Sequence, residues 1–198
     1  MAAIKSFIAM QAHHWAESVI FQGERVFAHY EWTRDMNKKI FELSIGNQKS
    51  FDIAGQLSIE TRQKRFISIM EEHFFVIALG KSIDYLKLIP EYDHLVQDID
   101  AMFSIESINN LRNKREHDDE YFYPDGRNVR LRPGMNFEDV SRSLVGDMTS
   151  SFIDDYENKY YLGNVEIKSI VAYYKSKVSE IECIYKAISR ASYLTEEP

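Results

Sequence analysis

The chain has 198 residues, of which 44% are hydrophobic and 28% charged, with a formal net charge of −7. This is the length of one domain, or of one domain with an elaboration, and the balance of a soluble globular fold with enough apolar content for a sizeable core. The acidity argues against a general nucleic-acid coat, which is ordinarily basic, but leaves room for an enzyme that meets RNA at one local site.

Cys183 is the single cysteine, so there is no internal disulfide and no Cys/His ligand set for a metal. That pattern suits a reducing cytoplasm. Flanked by Ile181, Ile184 and Tyr185 at helical spacing, Cys183 reads as a buried small hydrophobe. His13, His14 and Glu17 interrupt the N-terminal apolar stretch, which is therefore not a signal peptide. The longest apolar run, Phe74 to Leu79, is too short to span a bilayer, and no membrane association is expected.

Residues 3–22 carry Ile4, Phe7, Ile8, Trp15 and Val19 near a period of 3.6, which predicts a helix. Gly23 punctuates it, and a second helical stretch runs through Val26, Phe27, Tyr30, Ile40, Phe41 and Leu43 to a turn at Gly46-Asn47. His13 and His14 read as structural or solvated. Residues 47–58 are polar and contain glycine, which predicts a loop. A long helix follows from Ile59 to Ile89, with Phe66, Ile69, Met70, Phe74, Ile77, Tyr85 and Leu88 as its apolar stripe and Pro90 as its stop. His73 falls on that stripe and reads as a hydrogen-bonded core histidine. The basic cluster Arg62-Gln63-Lys64-Arg65 reads as a solvated face, with phosphate contact as the lesser alternative.

The next helix carries Leu95, Ile99, Met102 and Phe103 and leads onward either continuously or through a break near Ser104 to Ser107. Tyr123-Pro124-Asp125-Gly126 is a turn signal. After it come a short strand at Val129 to Leu131, a short helix ending near Val145, and a hairpin of Ser150–Ile153 with Lys159–Leu162. Asn164 is a good N-cap for a last helix from Val165 to about Ala191. The expectation is one mainly helical domain, 1–198, of four to five long helices. It divides into a helical part (1–122), a β-containing excursion (127–163) and a C-terminal helix (164–192).

The stretch Ser107–Phe122, SINNLRNKREHDDEYF, brings a fixed cation, an amide and an imidazole together in Arg112, Asn113 and His117. On a helix, Asn113 and His117 are i,i+4 neighbours, whereas Arg112 lies about 100° from Asn113. Arg112 and His117 therefore do not share a face, and a joint site needs either the reach of Arg112 or a second subunit. The competing reading is a charged surface helix, because Arg112–Glu116, Lys114–Asp118 and Arg115–Asp119 are i,i+4 pairs. In all three the base precedes the acid, which is the less stabilising order.

Arg112-Asn113-Lys114-Arg115-Glu116-His117 resembles the signature of the HEPN superfamily (higher eukaryotes and prokaryotes nucleotide-binding), as found in its prokaryotic toxin and defence branch. That signature is an Arg followed by a polar residue, then a His after four to six intervening residues. Four intervene here, at a helix end late in a long-helix domain. The resemblance implies a HEPN-like bundle and an endoribonuclease that needs no metal or other cofactor. It also implies a homodimer whose two motifs face each other across a cleft, in a toxin–antitoxin or phage-defence setting. Arg112, Asn113 and His117 are then the catalytic residues, and RNA is the substrate.

Imidazole suits proton transfer near neutral pH, and a forked, permanent cation suits the charge that builds on phosphorus. The products implied are a 2′,3′-cyclic phosphate and a 5′-hydroxyl. Lys114, Arg115, Arg127, Arg130 and Arg132 are candidate phosphate contacts, although residues 112–132 hold six basic and five acidic side chains. A protein partner, either an antitoxin or a nucleotidyltransferase, also follows from the resemblance. However, the tyrosine that the toxin branch commonly places two residues after the histidine is Asp119 here, so adenylylation by a nucleotidyltransferase does not carry over. The alternative is a non-catalytic HEPN-like module for dimerisation, nucleotide binding or protein interaction.

Overall fold

Six small residues and a closing tyrosine recur along the first part of the chain at alternating steps of three and four: Ala9, Ala12, Ala16, Val19, Gly23, Val26 and Tyr30. That alternation keeps one edge of a helix against a partner. In the computed structural model, which describes residues 2–116, 151–154, 159–163 and 165–194, these residues are the buried face of one uninterrupted helix, α1 (Ala2–Ser44). The break expected at Gly23 is absent. A Cβ there would stand 2.2 Å from Val171 Cγ2 and 3.3 Å from Phe75 Cε2, so the glycine serves close packing instead of ending the helix.

α2 (Gln48–Leu86) starts eleven residues earlier than its large apolar residues suggest, and the loop expected over 47–58 is helical. Asn47 supplies the start signal, its side-chain oxygen accepting from Ser50 N at 3.1 Å. The face of α2 turned to the core is Ser68, Glu72, Phe75, Leu79, Ser82 and Leu86, again at steps of four and three. The expected stripe lies elsewhere: Phe66, Ile69, Met70, Phe74 and Leu88 are exposed, Phe66 by 69%. His73 is half-buried rather than in the core.

A 3-10 turn at Pro90–Tyr92 leads into α3 (Asp93–Phe103), where Leu95 and Ile99 are buried as their spacing predicts. The chain breaks at Ser104, whose φ of 56° is in the left-handed region. Two side chains stabilise the restart. Asp100 Oδ1 accepts from Ile105 N at 2.9 Å, and Ser104 Oγ accepts from Ser107 N at 3.3 Å, which caps α4 (Ile105–Glu116). β1 (Ser151–Asp154) and β2 (Lys159–Leu162) form the expected antiparallel hairpin, with Ser151 opposite Leu162 and Asp154 opposite Lys159; β3 (Val165–Glu166) adds a short third strand beside β2. The strand at Val129 to Leu131 and the helix ending near Val145 lie outside the described residues, as does Asn164.

α5 (Ile167–Leu194) is capped by Glu166, whose two carboxylate oxygens accept from Lys168 N at 2.9 Å and Ser169 N at 2.7 Å. Its inner face is the expected one, with Ile167, Ile170, Val171, Tyr174 and Ile181 buried, but Cys183 is exposed and not part of the core. Tyr92 OH donates to Ile181 O at 3.2 Å and Tyr173 OH to Leu95 O at 3.3 Å, tying α5 to the turn before α3 and to α3 itself. His13 stacks on Tyr185 with ring centroids 6.1 Å apart, so its role is structural.

The result is a mainly α bundle of five described helices with a small hairpin before the last. No helix among the described residues is long and apolar enough to cross a membrane. Beyond Tyr30 in α1 and before Ser68 in α2, only Ala54 is buried. Among the described residues the two helices here have only each other: half-buried Trp32, Thr33, Met36, Ile40 and Leu43 mark the seam on α1, and Leu57, Thr61 and Lys64 mark it on α2. Lys64 Nζ sits 4.0 Å from the centre of the Trp32 ring.

Candidate functional site

Where the many-layered body gives way to the two-helix projection, five charged or polar side chains from three helices meet. Arg25 on α1 grips Glu71 on α2 through both Nε and Nη2, the Nε bond being 2.7 Å. This forked contact holds the Glu71 carboxyl below its usual range, against the opposing effect of burial. The neighbouring Glu72 is buried and shared: Tyr30 OH donates to Oε1 at 2.8 Å, and Arg115 Nη2 on α4 donates to Oε2 at 2.8 Å. Tyr30 in turn stacks on Tyr160 of β2, with centroids 5.7 Å apart and planes 5° from parallel. A buried carboxylate needs such complete satisfaction, because an unpaired charge there costs several kcal/mol.

One turn further along α4 stands Arg112. Its Nη1 donates to Asp84 Oδ2 at 2.8 Å, and its side chain is 21% exposed. The aliphatic stem and guanidinium lie over Gly80, where a Cβ would come within 2.6 Å of Arg112 Cδ and 2.8 Å of Nη1. Gly80 and Asp84, four apart on α2, thus make a seat that fixes the direction of the cation. Asn113 is exposed, on the α4 face that also carries Glu106 and Asn110. That face runs into a cleft of about 430 Å³ lined by Lys87, Gln97, Asp100, Glu106, Asn109 and Asn110.

The expected site residues are therefore distributed unequally. Arg112 and Asn113 are adjacent on α4 but point in different directions, the guanidinium toward α2 and the amide toward solvent, as the 100° step requires. Of the two courses expected after Phe103, the chain takes the break, at Ser104, so α4 does not continue the helical phase of α3. Arg115 differs from its expectation as a phosphate contact: its side chain is 8% exposed and bonded to Glu72. Lys114 belongs to α4. His117, Arg127, Arg130 and Arg132 lie outside the described residues.

Asp84, Gly80 and Glu72 carry no mark in the sequence reading, and Tyr30 enters it only as an apolar helix residue. One signal was available. Glu71-Glu72 interrupts an apolar run from Phe66 to Leu79, and a charged pair at core spacing implies buried cationic or hydroxyl partners. Asp84 gave no such sign, since its partner is 28 residues away in sequence. Among the described residues no group of three or more His, Cys, Asp or Glu is arranged to hold a metal ion. No known protein family matches the chain, and neither a curated protein nor a solved structure matches it.

Proposed function

We propose that the protein is a HEPN-like, metal-independent endoribonuclease of the toxin–antitoxin or phage-defence type, acting in the cytoplasm as a homodimer. The observation that supports this reading most is the seat of Arg112. A guanidinium held by Asp84, packed over Gly80 and still partly open to solvent has a set direction before any substrate arrives. Charge stabilisation is strongest when the charged group needs no reorganisation at the moment of reaction. In the reaction, the 2′-oxygen of RNA attacks the adjacent phosphorus and the 5′-oxygen leaves. His117 takes the proton from the 2′-hydroxyl, and a water molecule gives one to the departing 5′-oxygen, the hydroxide left behind recovering the proton from His117. Arg112 holds the non-bridging oxygens. Asn113 orients His117 or the phosphate, and the neighbouring Asn109 and Asn110 offer hydrogen bonds to exposed base edges. A second copy of the chain completes the site.

A second reading has its own support. Arg112 and Arg115 both clamp α4 onto α2 through Asp84 and Glu72, as the arginines of a structural brace would. On this reading the chain is a non-catalytic HEPN-like module that dimerises or binds a protein partner, such as an antitoxin.

Incubation of purified protein with tRNA in EDTA, beside His117→Ala, separates the two. The catalytic reading expects cleavage to cyclic-phosphate ends by the wild type and a loss of at least about 100-fold in the variant. Equal cleavage by both, or none by either, overturns it in favour of the brace.

A further inference from the structure

α2 and α4 run antiparallel, and their side chains meet in rungs. Glu72 on α2 pairs with Arg115 on α4, and Asp84 pairs with Arg112, each at 2.8 Å. At both rungs α2 supplies the carboxylate and α4 the cation. One turn beyond Asp84 the polarity reverses: Lys87 caps the end of α2, and α4 presents Glu106 and Asn109. This rung is open. Lys87, Glu106, Asn109 and Asn110 line the cleft of about 430 Å³ together with Gln97 of α3. Among the described residues these five side chains have no hydrogen-bond partner and no ion pair. Val96 and Ile105 add an apolar wall.

The lining holds one cation and two carboxylates, Asp100 being the second. That balance disfavours a phosphate and suits a neutral group rich in donors. The volume lies within the roughly 300–1,000 Å³ that small-ligand sites span. Two fixed polarities narrow the choice further. The Lys87 ammonium only donates, and the Glu106 carboxylate only accepts. Glu106 stands in the first turn of α4, where the helix dipole favours its charged form. Guanine offers two acceptors, O6 and N7, at one corner and two adjacent donors, N1–H and N2–H, beside them. Adenine, cytosine and uracil offer a carboxylate no such pair of adjacent donors. The amides of Gln97, Asn109 and Asn110 can each turn a donor or an acceptor inward.

We infer that this cleft receives one unpaired guanine of a single-stranded RNA. Lys87 donates to O6 or N7, the two Glu106 oxygens accept from N1 and N2, and Val96 and Ile105 pack against the base. Glu106, Asn109, Asn110 and Asn113 follow one another at helical spacing and share one face of α4. Along the axis Asn109 is roughly 4.5 Å from Arg112, and Glu106 roughly 9 Å. A base held here therefore belongs to a nucleotide next to a phosphate at Arg112. That RNA and not a free nucleotide carries the guanine rests on the reading of Arg112 as a phosphate-holding group; the base site itself does not.

Fluorescence anisotropy in EDTA tests it, with labelled 2′-O-methyl RNA oligomers, which cannot be cleaved. One oligomer is all uridine, and three others carry a single central guanine, adenine or inosine. The wild type is expected to bind the guanine oligomer at least about 10-fold tighter than each of the other three. Inosine keeps O6, N7 and N1–H and lacks only the N2 amino group, so it tests the carboxylate contact without altering the protein. Glu106→Gln and Lys87→Met, checked for folding by circular dichroism, are each expected to bring the guanine preference below about 3-fold.

Equal affinity for the guanine and adenine oligomers overturns the inference, as does binding of none of them. A preference that survives with inosine, or in both variants, overturns it as well. GMP that competes as well as the guanine oligomer overturns the assignment to RNA. A guanine preference without cleavage of tRNA in EDTA leaves the cleft standing and removes only the catalytic reading. Cleavage without a guanine preference removes only the cleft.

Discussion

The same two helices behave differently on either side of Tyr30 and Glu72. In the body, α1 and α2 are covered by α3, α4 and α5, and small residues on α1 let the backbones approach closely. In the projection the described residues supply no third layer, the seam is only half-buried, and large side chains such as Phe41 and Phe66 face outward. The difference shows that side-chain size does not decide burial here. Position decides it: Ala12 and Ala16 are fully buried while Phe7 and Ile4 on the same helix are mostly exposed.

Substitutions on the two sides should expose this contrast. The largest effect is expected at the boundary. Glu72→Ala leaves Arg115 buried without its acceptor and Tyr30 without its carboxylate, a loss of about 3–5 kcal/mol. Urea unfolding measures it, and a change below about 1 kcal/mol would mean that the brace between α2 and α4 is not closed in solution.

A smaller effect is expected on acidification. The folded-state pKa of Glu71 is depressed by Arg25, so its contribution is present above the unfolded value of about 4.3 and is lost as pH falls through the folded value. Glu91, lowered by Lys5, and Glu180, lowered by His94 and Lys177, lose theirs in the same direction. Thermal melts from pH 7 to pH 3 should show a falling midpoint, and Glu71→Gln should flatten part of that fall. A midpoint that rises on acidification would contradict the pairing. The smallest effect is expected far out on the projection, where Phe41→Ala changes stability by about 0.5 kcal/mol or less despite removing a ring.

Much of the fold was legible because periodicity was strong where helices are amphipathic in the ordinary way. α3, with Leu95 and Ile99, and the inner face of α5 are read directly. The hairpin of β1 and β2 followed from its alternation and turn. The long pair is less legible, because its large apolar residues do not mark its packed faces. In α1 the packed edge consists of Ala, Val and Gly, whose small volumes permit a short helix–helix distance but carry little hydropathy signal. In α2 the large residues form an outer stripe, and the start at Asn47 depends on a cap rather than on apolar content. The candidate site was half legible. Arg112 and Asn113 stood out by residue type, whereas the direction of Arg112 is set by Gly80 and Asp84 on another helix, which no local pattern contains.

The alternation along α1 has a further consequence. From Ala9 to Tyr30 its steps of three and four average 3.5 residues, slightly fewer than a straight helix has per turn, so α1 and its neighbour wind around each other with a left-handed supercoil. Beyond Tyr30 the half-buried residues are Trp32, Thr33, Met36, Ile40 and Leu43, and the strict alternation of threes and fours ends at the boundary with the projection. The repeat that winds the body is therefore not continued by the pair of helices that projects from it.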